Sequence, residues 1–152
     1  MIKNLAMHEL LPLIEDTLSS GGSIAFIPNG TSMLPFIRPG VDSVTLSPLP
    51  DELFPGDIVF YRRASGQNVM HRIIGRDKTG YIFCGDNQVT AEKGITRDMM
   101  TAIVTSVCRD GENINLENNK VYLRYKKRTV AKKRLLCFLT RGKRTIKKLL
   151  GQ

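Results

Sequence analysis

Between Ser23 and Cys108 the chain is cut into six short apolar runs: SIAFIP, DSVTLS, DIVFYR, NVMHRIIG, GYIFCG and TAIVTSVC. Their length and β-branched content suit strands, and Pro-Gly and Gly-Asp turns separate them. This pattern predicts a compact, mainly β (α+β) domain over residues 23–119, with turns at Asp110–Asn113 and Glu117–Asn119 near its end. Upstream, Leu10, Leu11, Ile14 and Leu18 recur at helical spacings until Ser19-Ser20-Gly21-Gly22-Ser23 stops them, so residues 1–22 form an N-terminal helix, its periodic part over residues 3–18. Beyond Asn119 the period changes again. Leu135, Phe138, Leu139, Ile146, Leu149 and Leu150 fall roughly on one face among cations, which predicts a basic amphipathic helical tail over residues 120–152, divided at Gly142.

At 152 residues the chain is long enough for one domain with a real core and short for two. Its charge is divided sharply. Ten basic and fourteen acidic residues precede Lys120, a net of −4, whereas from Lys120 onward there are thirteen Lys or Arg and no Asp or Glu. The overall +9 therefore describes a basic tail on a mildly acidic domain, and no nucleic-acid partner is expected for the domain. Cys84, Cys108 and Cys137 are odd in number and widely spaced. They support neither a disulfide framework nor a zinc site, so no metal or cofactor is implied and inert thiols in a reducing compartment are expected. The opening MIKNLAMHELLPLIEDTL carries charges and a proline that a secretory apolar segment does not tolerate. The longest apolar run of the tail, LLCFL, is far short of the ~20 residues that span a bilayer. The expected location is cytoplasmic, with contact to the inner membrane surface through residues 120–150.

One hydroxyl, Ser32, stands within NGTSMLPFIRPG. A serine attacks a carbonyl only if a neighbour takes its proton. The chain has two histidines. His8 lies beside Glu9 in the N-terminal helix, where a solvated role is expected. His71 lies in a strand-like run, with Val69 and Ile73 on its own face and Met70, Arg72 and Ile74 on the other. A third stretch, CGDNQVTAE, brings a carboxylate and an amide out of a strand end, where catalytic groups gather. Alone, each of the three reads as an ordinary turn or strand residue.

In order, the chain carries Gly30-x-Ser32-Met33-x-Pro35, then Pro55-Gly56-Asp57-Ile58-Val59, then His71-Arg72-Ile73-Ile74, then Gly85-Asp86-Asn87. From about Ser23 to Val107 this series resembles the signal peptidase I and LexA-like serine peptidase clan. It is most similar to the branch in which histidine replaces the usual catalytic lysine, as in the endoplasmic-reticulum type of signal peptidase. The ELLPLIEDTL opening, the SMLPFIRPGVDSVTLSP box and the basic tail resemble the small soluble bacterial members.

The resemblance implies a β-barrel-type fold and a serine endopeptidase that cleaves a peptide or leader segment. Ser32 would be the nucleophile, and His71 the general base that later protonates the leaving amine. A carboxylate would orient the imidazole. Asp86, in the matching Gly-Asp-Asn, is the first choice, Glu92 the second and Asp98 a weaker third. The backbone N–H of Ser32 would donate into the oxyanion hole. Some members of the clan add a hydroxyl two residues before the serine, where this chain has Gly30. Met33, Pro35 and Asp57 are expected to shape turns, and Arg72 to pair with a carboxylate. The alternative is a non-catalytic or self-processing LexA-like regulatory or binding module. Against it, the region before Ser23 is too short for a helix-turn-helix domain, and the self-cleaving relatives use lysine.

Overall fold

The computed structural model of the chain describes the backbone of residues 7–149 and the side chains of residues 7–138. The expected helix start at residue 3, Leu150 and the side chains of Leu139, Ile146 and Leu149 lie outside the described residues. Helix α1 spans Met7–Ser19. Eight strands follow: β1 (Ile24–Phe26), β2 (Ser43–Ser47), β3 (Ile58–Arg62), β4 (Asn68–Asp77), β5 (Gly80–Cys84), β6 (Glu92–Ile95), β7 (Met100–Arg109) and β8 (Glu112–Asn115). A 3-10 turn, Arg97–Met99, precedes β7, and helix α2 runs over Lys120–Leu149. All six apolar runs became strands. The sequence did not mark β6 and β8, and β8 begins inside the expected turn at Asp110–Asn113.

This is an α+β fold with one antiparallel sheet in the order β1-β2-β7-β3-β4-β5-β6, and β8 pairs with β7. The sheet is open: among the described residues β1 pairs only with β2 and β6 only with β5. The expected barrel-type closure is therefore corrected. Nor does Gly142 divide the tail, since α2 passes through it as one helix. Glycine in a helix interior costs about 1 kcal/mol relative to alanine, which weakens a helix without stopping it.

Because side chains alternate across a strand, β3 and β4 feed two cores. One holds Ile58, Phe60 and Met70 with Leu10 and Ile14 of α1, Met33, Phe36 and Ile37 of the Ser32 segment, and Tyr122 of α2. The other holds Val59, Tyr61 and Ile73 with Phe83, Ile95 and Met100. β3 is buried along four of its five residues, which explains why DIVFYR reads as a continuous apolar run rather than an alternating one.

Candidate active site

Ser32 sits at the head of a tight turn between β1 and β2. Met33 and Ile37 anchor that turn in the core, and the Ile37 N–H donates to the Met33 carbonyl at 3.0 Å. Two cross-chain clamps hold it. Arg109 of β7 donates to the carbonyls of Pro35 and Phe36, and its own position is set by Asp42, which it shares with Arg38. From the opposite side, the Asn87 N–H donates to the Ser32 carbonyl at 2.8 Å and the Asn87 side-chain amide to the Thr31 carbonyl at 3.3 Å. The Gly85-Asp86-Asn87 turn thus lies directly on the Ser32 backbone. A Cβ at Gly85 would stand 2.6 Å from the Ser32 carbonyl oxygen, so only glycine allows this approach.

Ser32 and His71 line one cleft of about 290 Å³. Its lining includes the apolar Phe26, Phe60, Val69 and Met70 and, among others, Gly30, Asn68 and Gln88. Among the described residues, no acceptor is paired with the Ser32 N–H, and no hydrogen bond joins Ser32 to His71.

His71 is 1% exposed. Its Nδ1 lies 3.1 Å from Glu92 Oε1 and 3.1 Å from the Tyr61 hydroxyl. A carboxylate can only accept, so the Glu92 contact favours the tautomer with the proton on Nδ1, leaving Nε2 as the basic nitrogen. Arg63 grips the same carboxylate with two donors, Nε to Oε2 at 2.8 Å and a second to Oε1. Burial pushes the histidine below its ordinary range, and Glu92 only partly offsets this. Burial alone would raise the Glu92 carboxyl, but the Arg63 hydrogen bonds and the nearby histidine outweigh it and hold the group below the usual carboxylate range. Tyr61 is driven up by burial and by the Glu92 charge, so it stays a neutral hydroxyl. The resulting group is a neutral imidazole backed by an ionised carboxylate.

Asp86, the first-choice orienting carboxylate, is committed elsewhere. Arg72 donates to it from Nε at 2.8 Å and from a terminal nitrogen at 2.7 Å, and the Tyr125 hydroxyl donates at 3.1 Å. Arg72 is fully buried. It also donates to the Gly56 carbonyl and the Tyr122 hydroxyl, both at 2.8 Å, and lies within 6 Å of the Phe36, Tyr122 and Tyr125 rings. Asp98 is exposed on the 3-10 turn and His8 on α1. Asp57 caps its turn by accepting from the Phe54 N–H at 2.8 Å and also takes Lys126 of α2. Cys84 is buried and its thiol is pushed up to about 11 by that burial, so it stays protonated near neutrality.

The structure thus puts Ser32 and His71 on one cleft, gives His71 the Glu92 carboxylate with Tyr61 and Arg63 beside it, and commits Asp86 to Arg72. Sequence reasoning missed Tyr61 and Arg63. The available signal was the two-residue spacing that puts Tyr61 on one face of β3 with Val59, the register partner of His71. An α+β protein with a serine and a carboxylate-backed histidine on one cleft has the groups that acyl transfer requires. No protein-family model matches the chain, and neither the curated proteins nor the solved structures contain a significant match.

Proposed function

We propose that this protein is a serine endopeptidase of the signal peptidase and LexA-like clan, with the histidine form of the active site, that cleaves a peptide or leader segment. The observation that carries the proposal is the shared cleft. Ser32 and His71 are far apart in sequence, line one pocket, and the histidine has a carboxylate at 3.1 Å on Nδ1. Ser32 Oγ attacks the scissile carbonyl while His71 accepts its proton. Glu92 then faces an imidazolium and stabilises it. The tetrahedral oxyanion takes the free Ser32 N–H. His71 returns the proton to the leaving amine, and water releases the acyl group from Ser32 by the reverse sequence. Catalytic hydrogen bonds commonly tighten only with substrate in place, so the unjoined Ser32 and His71 are compatible with this chemistry.

Labelling with a serine-reactive acylating probe tests it. Wild type should be labelled at Ser32, and Ser32→Ala and His71→Ala should not. Full labelling or full peptide cleavage by both variants would refute the assignment. One observation favours a second reading, a peptide-binding module without turnover: Gly30 offers no side-chain donor to an oxyanion. That reading predicts peptide binding in the cleft with no labelling of wild type.

A further inference from the structure

Helix α2 lies on the domain with a fixed inner face. Tyr122, Val130 and Lys133 are buried. Lys126 reaches Asp57, Lys133 donates to the Gln88 carbonyl, and Arg134 Nε donates to the Ile74 carbonyl at 2.5 Å. These contacts decide which sector of the helix points outward. Val121 is 75% exposed, Leu135 60% and Phe138 75%, and Arg124, Arg128, Ala131 and Lys132 are exposed beside them. At about 100° per residue, Val121, Arg124, Arg128, Ala131 and Phe138 all fall within about 60° of Leu135.

This outward sector mixes large apolar side chains with cations. From Lys120 onward the sequence supplies no acid to neutralise them. The sequence also carries the pattern past Phe138: at the same helical repeat, positions 139, 146 and 149, all Leu or Ile, fall within about 40° of position 135. Arg141, Lys143 and Lys147 take positions to either side.

We infer that the outer face of α2 docks on an anionic lipid surface, the helix lying in the plane of the interface. The charge complementarity is direct, since a cation-only helix is drawn to anionic headgroups. The exposed Leu135 and Phe138 decide between lipid and nucleic acid. Phosphates along a nucleic acid give these apolar groups nothing, whereas the boundary between headgroups and acyl chains removes them from water. Among the described residues no helix is long and apolar enough to cross a membrane, so the contact is interfacial. The domain before Lys120, with its net of −4, is repelled by the same surface, and α2 therefore sets the orientation. The inner face of the helix holds Gln88 through Lys133, and Gln88 also lines the Ser32 cleft.

Flotation of the full chain with vesicles tests this. Phosphatidylcholine vesicles are compared with vesicles containing about 30 mol% phosphatidylglycerol, with wild type, L135E/F138E, R124E/R128E and Ser32→Ala. Wild type and Ser32→Ala should float equally, with anionic vesicles only and less at high salt. Each double variant should partition at least about tenfold more weakly. The Ser32→Ala arm separates this outcome from the peptidase assignment, because lipid docking does not need the nucleophile. All the substituted α2 residues are exposed, and an unchanged melting temperature confirms that each variant is folded; the two double variants remove different chemistry, so either can stand for the other. Equal flotation of wild type and both double variants would overturn the proposal. So would equal binding to neutral vesicles, or binding to an oligonucleotide that L135E/F138E leaves intact while anionic vesicles are ignored.

Discussion

Replacing Glu92 by Gln keeps the shape of the side chain that faces His71 and removes its charge. At 3.1 Å, and at an effective dielectric near 20, a pair of unit charges interacts by about 5 kcal/mol. Arg63 draws on the same carboxylate, and Glu92 is 24% exposed. Roughly half of that interaction, ~2 to 3 kcal/mol, then remains for the imidazolium that forms as Ser32 is acylated. At about 1.4 kcal/mol per decade, Glu92→Gln should slow acylation ~30- to 150-fold. Its effect on stability should be about 1 kcal/mol or less, because the Arg63–Glu92 pair is partly solvated. Asp86→Asn should do the opposite. It leaves the fully buried Arg72 without its counter-charge, at a cost of about 3–5 kcal/mol. For a domain of this size that lowers the melting temperature by roughly 6 to 20 °C. The assay pairs the rate of Ser32 labelling by an acylating probe, taken at a temperature where both variants are folded, with a thermal melt. If Asp86→Asn slows labelling strongly while Glu92→Gln leaves it unchanged, the assignment of the two carboxylates is refuted.

Three further outcomes follow from the geometry. Gly85→Ala places a methyl group 2.6 Å from the Ser32 carbonyl, so it should displace the nucleophile turn, cost about 1–3 kcal/mol in a melt and lower labelling more than about tenfold; unchanged labelling would mean the clamp does not position Ser32. A Cβ at Gly30 would meet no heavy atom within 4 Å, so Gly30→Ser should fit and add an oxyanion donor, raising labelling by about tenfold where loss of such a donor costs 10²–10³; a folded variant with no gain would count against that site for the oxyanion. Burial depresses His71, so it remains neutral to a pH below the ordinary ~6.5 and the acid limb of the labelling rate should fall below that value. The same shift makes the unfolded chain bind a proton before the folded one does. Stability from this group is therefore complete above about pH 6.5 and is lost as pH falls toward the folded value, a slope that His71→Gln should remove from a series of denaturant melts.

Much of the architecture was legible because local pattern and tertiary environment agreed. The six apolar runs are strands because their β-branched side chains pack on both faces of a sheet. α1 is legible because Leu10 and Ile14 are one helical turn apart and both enter the core. The failures have local causes. In β6, Glu-Lys-Gly-Ile has little intrinsic strand preference and owes its conformation to pairing with β5. β8, Glu-Asn-Ile-Asn, is polar, and its turn residues concealed a hairpin with β7. Barrel closure is not a local property at all. It depends on whether the two end strands meet, which strand number, tilt and stagger decide together, and here β1 and β6 stay apart.

The candidate site divides along the same line. The sequence alone determined the residue types: one serine on a tight turn, one strand histidine and a short choice of carboxylates. It also determined that His71 and Arg72, being adjacent on a strand, must face opposite ways. Only the tertiary structure decided which carboxylate each one meets. The loop after β5 sends Asp86 to the Arg72 side and β6 returns Glu92 to the His71 side, and no spacing rule reports that sorting, because it depends on the path of the chain between two paired strands. The tail shows the same division. Its cations and apolar repeat were written in the sequence, but which face is free was decided by Tyr122, Val130 and Lys133, whose burial against the domain leaves Leu135 and Phe138 in the solvent.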